Sequence, residues 1–119
     1  LIRRSFIGSS MLGIPWMVMH TSTYKENGYS YHRSKEMNLE QFKHWLELAH
    51  RYNVGIAIEN LYDPIDVFYR TYSCAPEELI ELVDELNDPL VGICWDTGHG
   101  NLCALDRSSA ASDVYKRQH

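Results

Sequence analysis

Three short apolar runs, each closed by a polar or ionisable residue, constrain this chain more than any other feature. They read "WMVMH" (16–20), "VGIAIE" (54–59) and "LVGICWD" (90–96). Each has the length of a strand and none carries a helical period. Helix-length amphipathic segments separate them. "NLEQFKHWLELAHRYN" (38–53) puts Leu39, Phe42, Trp45, Leu46, Ala49 and Tyr52 on one face. Asn38 with Gln41 has the pattern of a capping box, and Asn53 suits the C-terminal exit. "PEELIELVDELNDP" (76–89) gathers Leu79, Ile80, Leu82, Val83 and Leu86 on an apolar side. Pro76 and two acids fill its first turn, and Asn87-Asp88-Pro89 stops it. Residues 1–12 read as the end of a further helix. The order α-β-α-β-α-β predicts a parallel sheet with crossover helices.

His20, Glu59 and Asp96 close their strands at intervals of about 40 residues, against roughly 30 per unit in a (β/α)8 barrel of typical size. The excess in the first unit falls in "TSTYKENGYSYHRSKEM" (21–37), expected as a long polar loop. The pattern gives an α/β class of about three consecutive parallel βα units, of the kind a (β/α)8 TIM barrel repeats.

Strand parity sharpens this. Side chains alternate across a strand, so Gly55, Ala57 and Glu59 share one face while Val54, Ile56 and Ile58 share the other. In the third run Gly92, Cys94 and Asp96 oppose Val91, Ile93 and Trp95. Both strands read small, small, acid on one side and bulky apolar on the other. A bulky face suits packing under helices; a small-residue face suits a crowded barrel interior with the acid at its open rim. A lone acid at a strand end is most often a helix cap or a solvated loop residue. Two acids of matching parity point instead to a shared pocket. Carboxylates converging on one spot repel, and a divalent cation or a proton offsets the charge.

Of the 119 residues 45% are hydrophobic and the formal net charge is −5, ordinary values for a globular protein. There is no basic footprint for a phosphate backbone, so nucleic acid is not an expected partner. No apolar run approaches the roughly 20 residues of a membrane helix; the longest, "MLGIPWMVM", is broken by Pro15. No segment reads as an export signal. Cys74, Cys94 and Cys103 are odd in number and lack metal-ligand spacing, which suits reduced thiols of a cytoplasmic protein.

"VMHTSTY", "IAIENLYD" and "CWDTGHGNL" resemble three successive strand-end motifs of the sugar phosphate isomerase/epimerase superfamily, the xylose isomerase-like TIM barrels, which include endonuclease IV. The resemblance covers roughly residues 1–107 and implies a partial (β/α)8 TIM barrel. It implies that Glu59 and Asp96 ligate one divalent metal, with Mn²⁺ or Mg²⁺ favoured over Zn²⁺ or Co²⁺. It gives His99 a substrate contact and makes Glu59 an acid/base group. A carboxylate-bound cation would polarise the carbonyl and hydroxyl oxygens of a sugar or sugar phosphate and favour proton transfer through a cis-enediolate. The usual His-Pro-Gly after the first strand is here His20-Thr21-Ser22, which favours a substrate-facing or supporting role for His20 over ligation. The family's later histidine and second glutamate have no counterpart in this chain. An endonuclease IV-like zinc enzyme and a non-catalytic barrel remnant are the alternatives. A homo-oligomer of the whole protein is compatible with the resemblance.

Blander expectations attach to the remaining residues. His44 and His50 belong to a helix surface, and His32, Tyr24, Tyr29 and Tyr31 belong to the long loop, either near the mouth or exposed. The acidic run 84–88 reads as a solvated helix end. "SSAASDVYKRQ" (108–118) resembles the read-through of a sequencing adapter, so residues 108–119 are expected to be a disordered foreign tail. Three βα units leave two open sheet edges and an exposed apolar face, so the isolated chain is expected to be inactive and prone to aggregate.

Overall fold

A computed structural model describes residues 1–63 and 70–104. The three apolar runs form strands β1 (Trp16–Met19), β2 (Gly55–Glu59) and β3 (Val91–Cys94). They make one parallel sheet in the order β1-β2-β3. Val18 lies beside Ala57, and Ala57 beside Gly92. Helix α1 (Ile2–Met11) precedes β1. Helices α2 (Tyr31–Tyr52) and α3 (Pro76–Leu86) are the crossovers, and α4 (Thr97–Ala104) follows β3. This is the expected α/β arrangement of consecutive parallel units.

The bulky strand face does pack under the helices. Val54, Ile56 and Ile58 are almost fully buried with Phe6 of α1, Phe42, Leu46 and Ala49 of α2, and Leu79 and Leu82 of α3. Burying one such side chain contributes about 1.5–3 kcal/mol, so this layer holds the strands in parallel register. The opposite face holds the small residues. There the indole of Trp16 lies across β2, so close that a Cβ on Gly55 would sit 2.3 Å from its Cε3, and its far edge reaches Gly92. Trp16 and Val18 remain 45% and 55% exposed, as residues of a face that nothing among the described residues covers.

Two expectations are corrected here. The loop predicted over 21–37 ends at Ser30, whose side chain accepts from the Arg33 N–H and caps α2. Asn38 is therefore not a cap. It is buried in the second turn of α2, where its Oδ1 accepts the Ser22 N–H at 2.8 Å and its Nδ2 donates to the carbonyls of Ser22 and Ser34. A side chain that pairs with a distant loop looks, in sequence, like one that pairs with its own helix. Cysteine chemistry is the second correction: Cys74 is disulfide-bonded rather than reduced, while Cys94 is free.

The helix ends follow the sequence more closely. Asn53 and Asn87 adopt the left-handed conformation that closes α2 and α3. Among the described residues no helix is long and apolar enough to cross a membrane. The expected tail, 108–119, lies outside the described residues.

Candidate metal and sugar site

Glu59 is the last residue of β2, and Cys94, its neighbour in register, ends β3 two residues before Asp96. Parity therefore carries Glu59, Cys94 and Asp96 to one side of the sheet, at the carboxyl ends of adjacent strands. His20, one residue past β1, joins them: its Nε2 lies 2.6 Å from Glu59 Oε2. His99, in the first turn of α4, completes the group. Ligand atoms of Glu59, Asp96 and His99 all lie within 4.8 Å of one another. The structure thus brings together all four residues singled out in the sequence. Glu59 is the most enclosed, with 15% of its side chain exposed, and His20 the most open at 62%.

Asp96 has two roles at once. Its Oδ1 accepts the His99 N–H at 2.8 Å and so caps α4, the ordinary duty of an acid after a strand. That bond is the main reason its carboxyl is held below the usual carboxylate range, with the nearby His99 ring and the Gly98 N–H adding to it. Oδ2 remains outside the cap, 3.9 Å from His99 Nδ1. Glu59 is divided in the same way. Oε2 engages His20, and Oε1 lies 3.9 Å from His99 Nδ1. Each acid thus has one oxygen hydrogen-bonded and the other turned toward the His99 ring. Hard carboxylate oxygens suit Mn²⁺ or Mg²⁺, and two converging negative charges are stabilised by a cation. The donor set fits a divalent metal.

His99 is oriented by its surroundings. Nδ1 lies 2.8 Å from the Asn60 carbonyl; a carbonyl only accepts, so Nδ1 carries the proton. The neutral ring then presents Nε2 as an acceptor, and as a donor only when doubly protonated. Tyr62 packs against the same ring with centroids 4.8 Å apart. Glycines flank His99 on both sides. In the structure Gly98 and Gly100 are helical, and the Trp95 ring occupies the place of a side chain on Gly100, 2.5 Å from an ideal Cβ. Cys94 lies beside these acids; burial, then Glu59 and Asp96, push its thiol up from the ordinary range.

Sequence reasoning missed Asn60 and Tyr62 as members of the site, though the Glu-Asn pair after a strand was the visible signal. It also left Tyr29 and Tyr31 to the mouth or to solvent. Both turn instead to α3: Tyr29 donates to Glu78 at 2.9 Å and Tyr31 to Glu81. His44 is exposed on α2, and His50 pairs with Asp88 at 2.7 Å, away from the site.

Parallel strands with crossover helices, and acids gathered at the carboxyl rim, define a section of an α/β barrel whose site sits where such barrels build theirs. The chain belongs to the family described as xylose isomerase-like TIM barrel, which matches residues 2–118. Solved structures carry the same fold. A D-tagatose 3-epimerase-like protein superposes with a TM-score of 0.75 at 24% identity, over 98% of this chain and 41% of that one. A 3-keto-D-glucoside 4-epimerase from E. coli gives 0.76 at 14% identity, covering 98% and 46%. An IolI protein with a bound zinc atom gives 0.71 at 20%, covering 82% and 33%. The chain thus spans less than half the length of these structures. A search of the curated proteins finds no match.

Proposed function

We propose that the whole protein is a divalent-metal-dependent isomerase or epimerase of a sugar or sugar phosphate, working in the cytoplasm, to which residues 1–107 contribute three βα units and 108–119 a foreign tail. The observation that carries this reading is the convergence of Glu59, Asp96 and His99, within 4.8 Å, at the carboxyl rim of neighbouring parallel strands. The epimerases among the structural neighbours, including a D-allulose 3-epimerase in complex with D-allulose, support a small sugar as substrate.

In this reading Glu59 and Asp96 would hold the cation. When bound it polarises the substrate's carbonyl and hydroxyl oxygens. Glu59 also removes or returns the proton on the carbon next to the carbonyl; its enclosure and the His20 contact fix the orientation of its carboxylate. His99 accepts from a sugar hydroxyl through Nε2, and His20, the most exposed of the four, meets the substrate at the mouth.

The experiment is solvent exchange. The whole protein, loaded with Mn²⁺ and given ketohexoses in D₂O, is expected to place deuterium on the carbon next to the carbonyl. Glu59→Gln is expected to slow this by about 10²–10⁴-fold, the usual range for loss of an acid/base group. No exchange with any sugar or sugar phosphate, together with three bound zinc ions, would overturn the proposal in favour of the nuclease alternative.

A further inference from the structure

Asn60 is fully buried directly behind Glu59, and every polar atom it owns is engaged. Its N–H donates to the Cys94 carbonyl at 3.4 Å, continuing the strand ladder by one bond. Beyond that point β2 and β3 no longer pair, since they end at Glu59 and Cys94. The side-chain amide takes over. Oδ1 accepts the Asp96 N–H at 2.6 Å and Nδ2 donates to the Asp96 carbonyl at 3.0 Å. A primary amide offers the same donor and acceptor as a peptide, so Asn60 serves Asp96 as a substitute strand partner. The Asn60 carbonyl meanwhile receives the Nδ1 proton of His99 at 2.8 Å.

We propose that Asn60 is the positioning residue of this site: one side chain ties the Asp96 backbone to the end of β2, and the same residue's carbonyl fixes the His99 tautomer. The inference rests on the reading of Glu59, Asp96 and His99 as one site. It explains how Asp96 can cap α4 with one oxygen and still offer the other at a set distance from Glu59. Backbone held at both its N–H and its carbonyl has little freedom to swing. Small displacements of a metal or catalytic group are costly.

The test uses the whole protein, labelled on histidine ring nitrogens, and Asn60→Ala. In the wild type the His99 ring is expected to show a protonated Nδ1 and a bare Nε2, and the 95–99 segment slow amide exchange. In Asn60→Ala that segment is expected to exchange at least about tenfold faster, the scale of one lost hydrogen bond. The His99 tautomer is expected to persist, because the backbone carbonyl that sets it remains, and Mn²⁺ affinity to fall about 10–100-fold. Wild-type His99 with the proton on Nε2, or Asn60→Ala with unchanged exchange over 95–99, would overturn the inference. If Asn60→Ala does not fold, Asn60→Asp keeps the acceptor for the Asp96 N–H and loses the donor to its carbonyl; it is expected to keep the Asp96 amide protected while residues 97–99 exchange faster, and unchanged exchange over 97–99 would overturn the inference. A wild type that shows both signals yet binds no Mn²⁺ would support the positioning role and count against the proposed function.

Discussion

Placing one methyl group on the inner face of β2 tests whether Trp16 fills the floor beneath the site. An ideal Cβ on Gly55 would lie 2.3, 2.4 and 2.7 Å from three atoms of the Trp16 ring system. Real Cβ contacts do not come so near, and the ring is rigid, so Gly55→Ala must push the indole off the sheet or bend β2. Overpacking of this kind costs about 1–3 kcal/mol. The backbone preference works the other way, since alanine is about 0.5–1 kcal/mol better than glycine within a strand. The net expected loss centres on about 1 kcal/mol, read from urea unfolding of the whole protein as a lower midpoint at unchanged slope. Trp16→Leu supplies the control. In that background Gly55→Ala is expected to be neutral or stabilising, giving a coupling of at least about 1 kcal/mol between the two sites. Additive effects, or a Gly55→Ala protein as stable as wild type with Trp16 in place, would refute the packing.

Other perturbations reach the frame around the site. Tyr29 is pushed up to about 12 from the ordinary 10.0 by burial and by its hydrogen bond to Glu78. A raised value means that its stabilising contribution is full below pH 10 and is lost as pH rises through 12. Stability is expected to fall across that window, with Tyr29→Phe flattening the fall; a tyrosine titration complete by pH 10.5 would contradict this. Asn53 closes α2 at φ 52, a conformation that costs most side chains about 1–2 kcal/mol and that asparagine tolerates better. Asn53→Ala is expected to lower stability by about 1 kcal/mol while Asn53→Gly leaves it near wild type, and equal losses in the two would speak against the left-handed cap. The 119-residue chain alone exposes Met11, Leu12, Trp16 and Val18. Sedimentation is expected to show association and dye binding to show apolar surface, so a clean monomer with turnover would be the opposite result.

What the sequence made legible was whatever repeats locally. Alternation in "GIAIE" and "GICWD" separated the core face from the site face, because parity is a property of the strand itself. Asn53 and Asn87 announced two helix ends for the same reason. The start of α2 was not legible: Ser30 and Asn38 are both good caps, and only the fold shows that Asn38 spends its amide on Ser22. The helix that carries His99 was not legible either, since glycines weaken helices by about 1 kcal/mol each. The Asp96 cap and the Trp95 ring over Gly100 reverse that local preference. Asn60 went unread because its partners lie across the sheet, 36 residues away in sequence.

The central claim is that Glu59 and Asp96 serve one cation. A calorimetric titration of Mn²⁺ into the whole protein, repeated for Glu59→Gln and Asp96→Asn, tests it most directly. One bound ion is expected in the wild type, with affinity lowered more than about a hundredfold in each variant, beyond the loss typical of an outlying partner. Equal affinity in all three proteins would place the ion elsewhere and contradict the account.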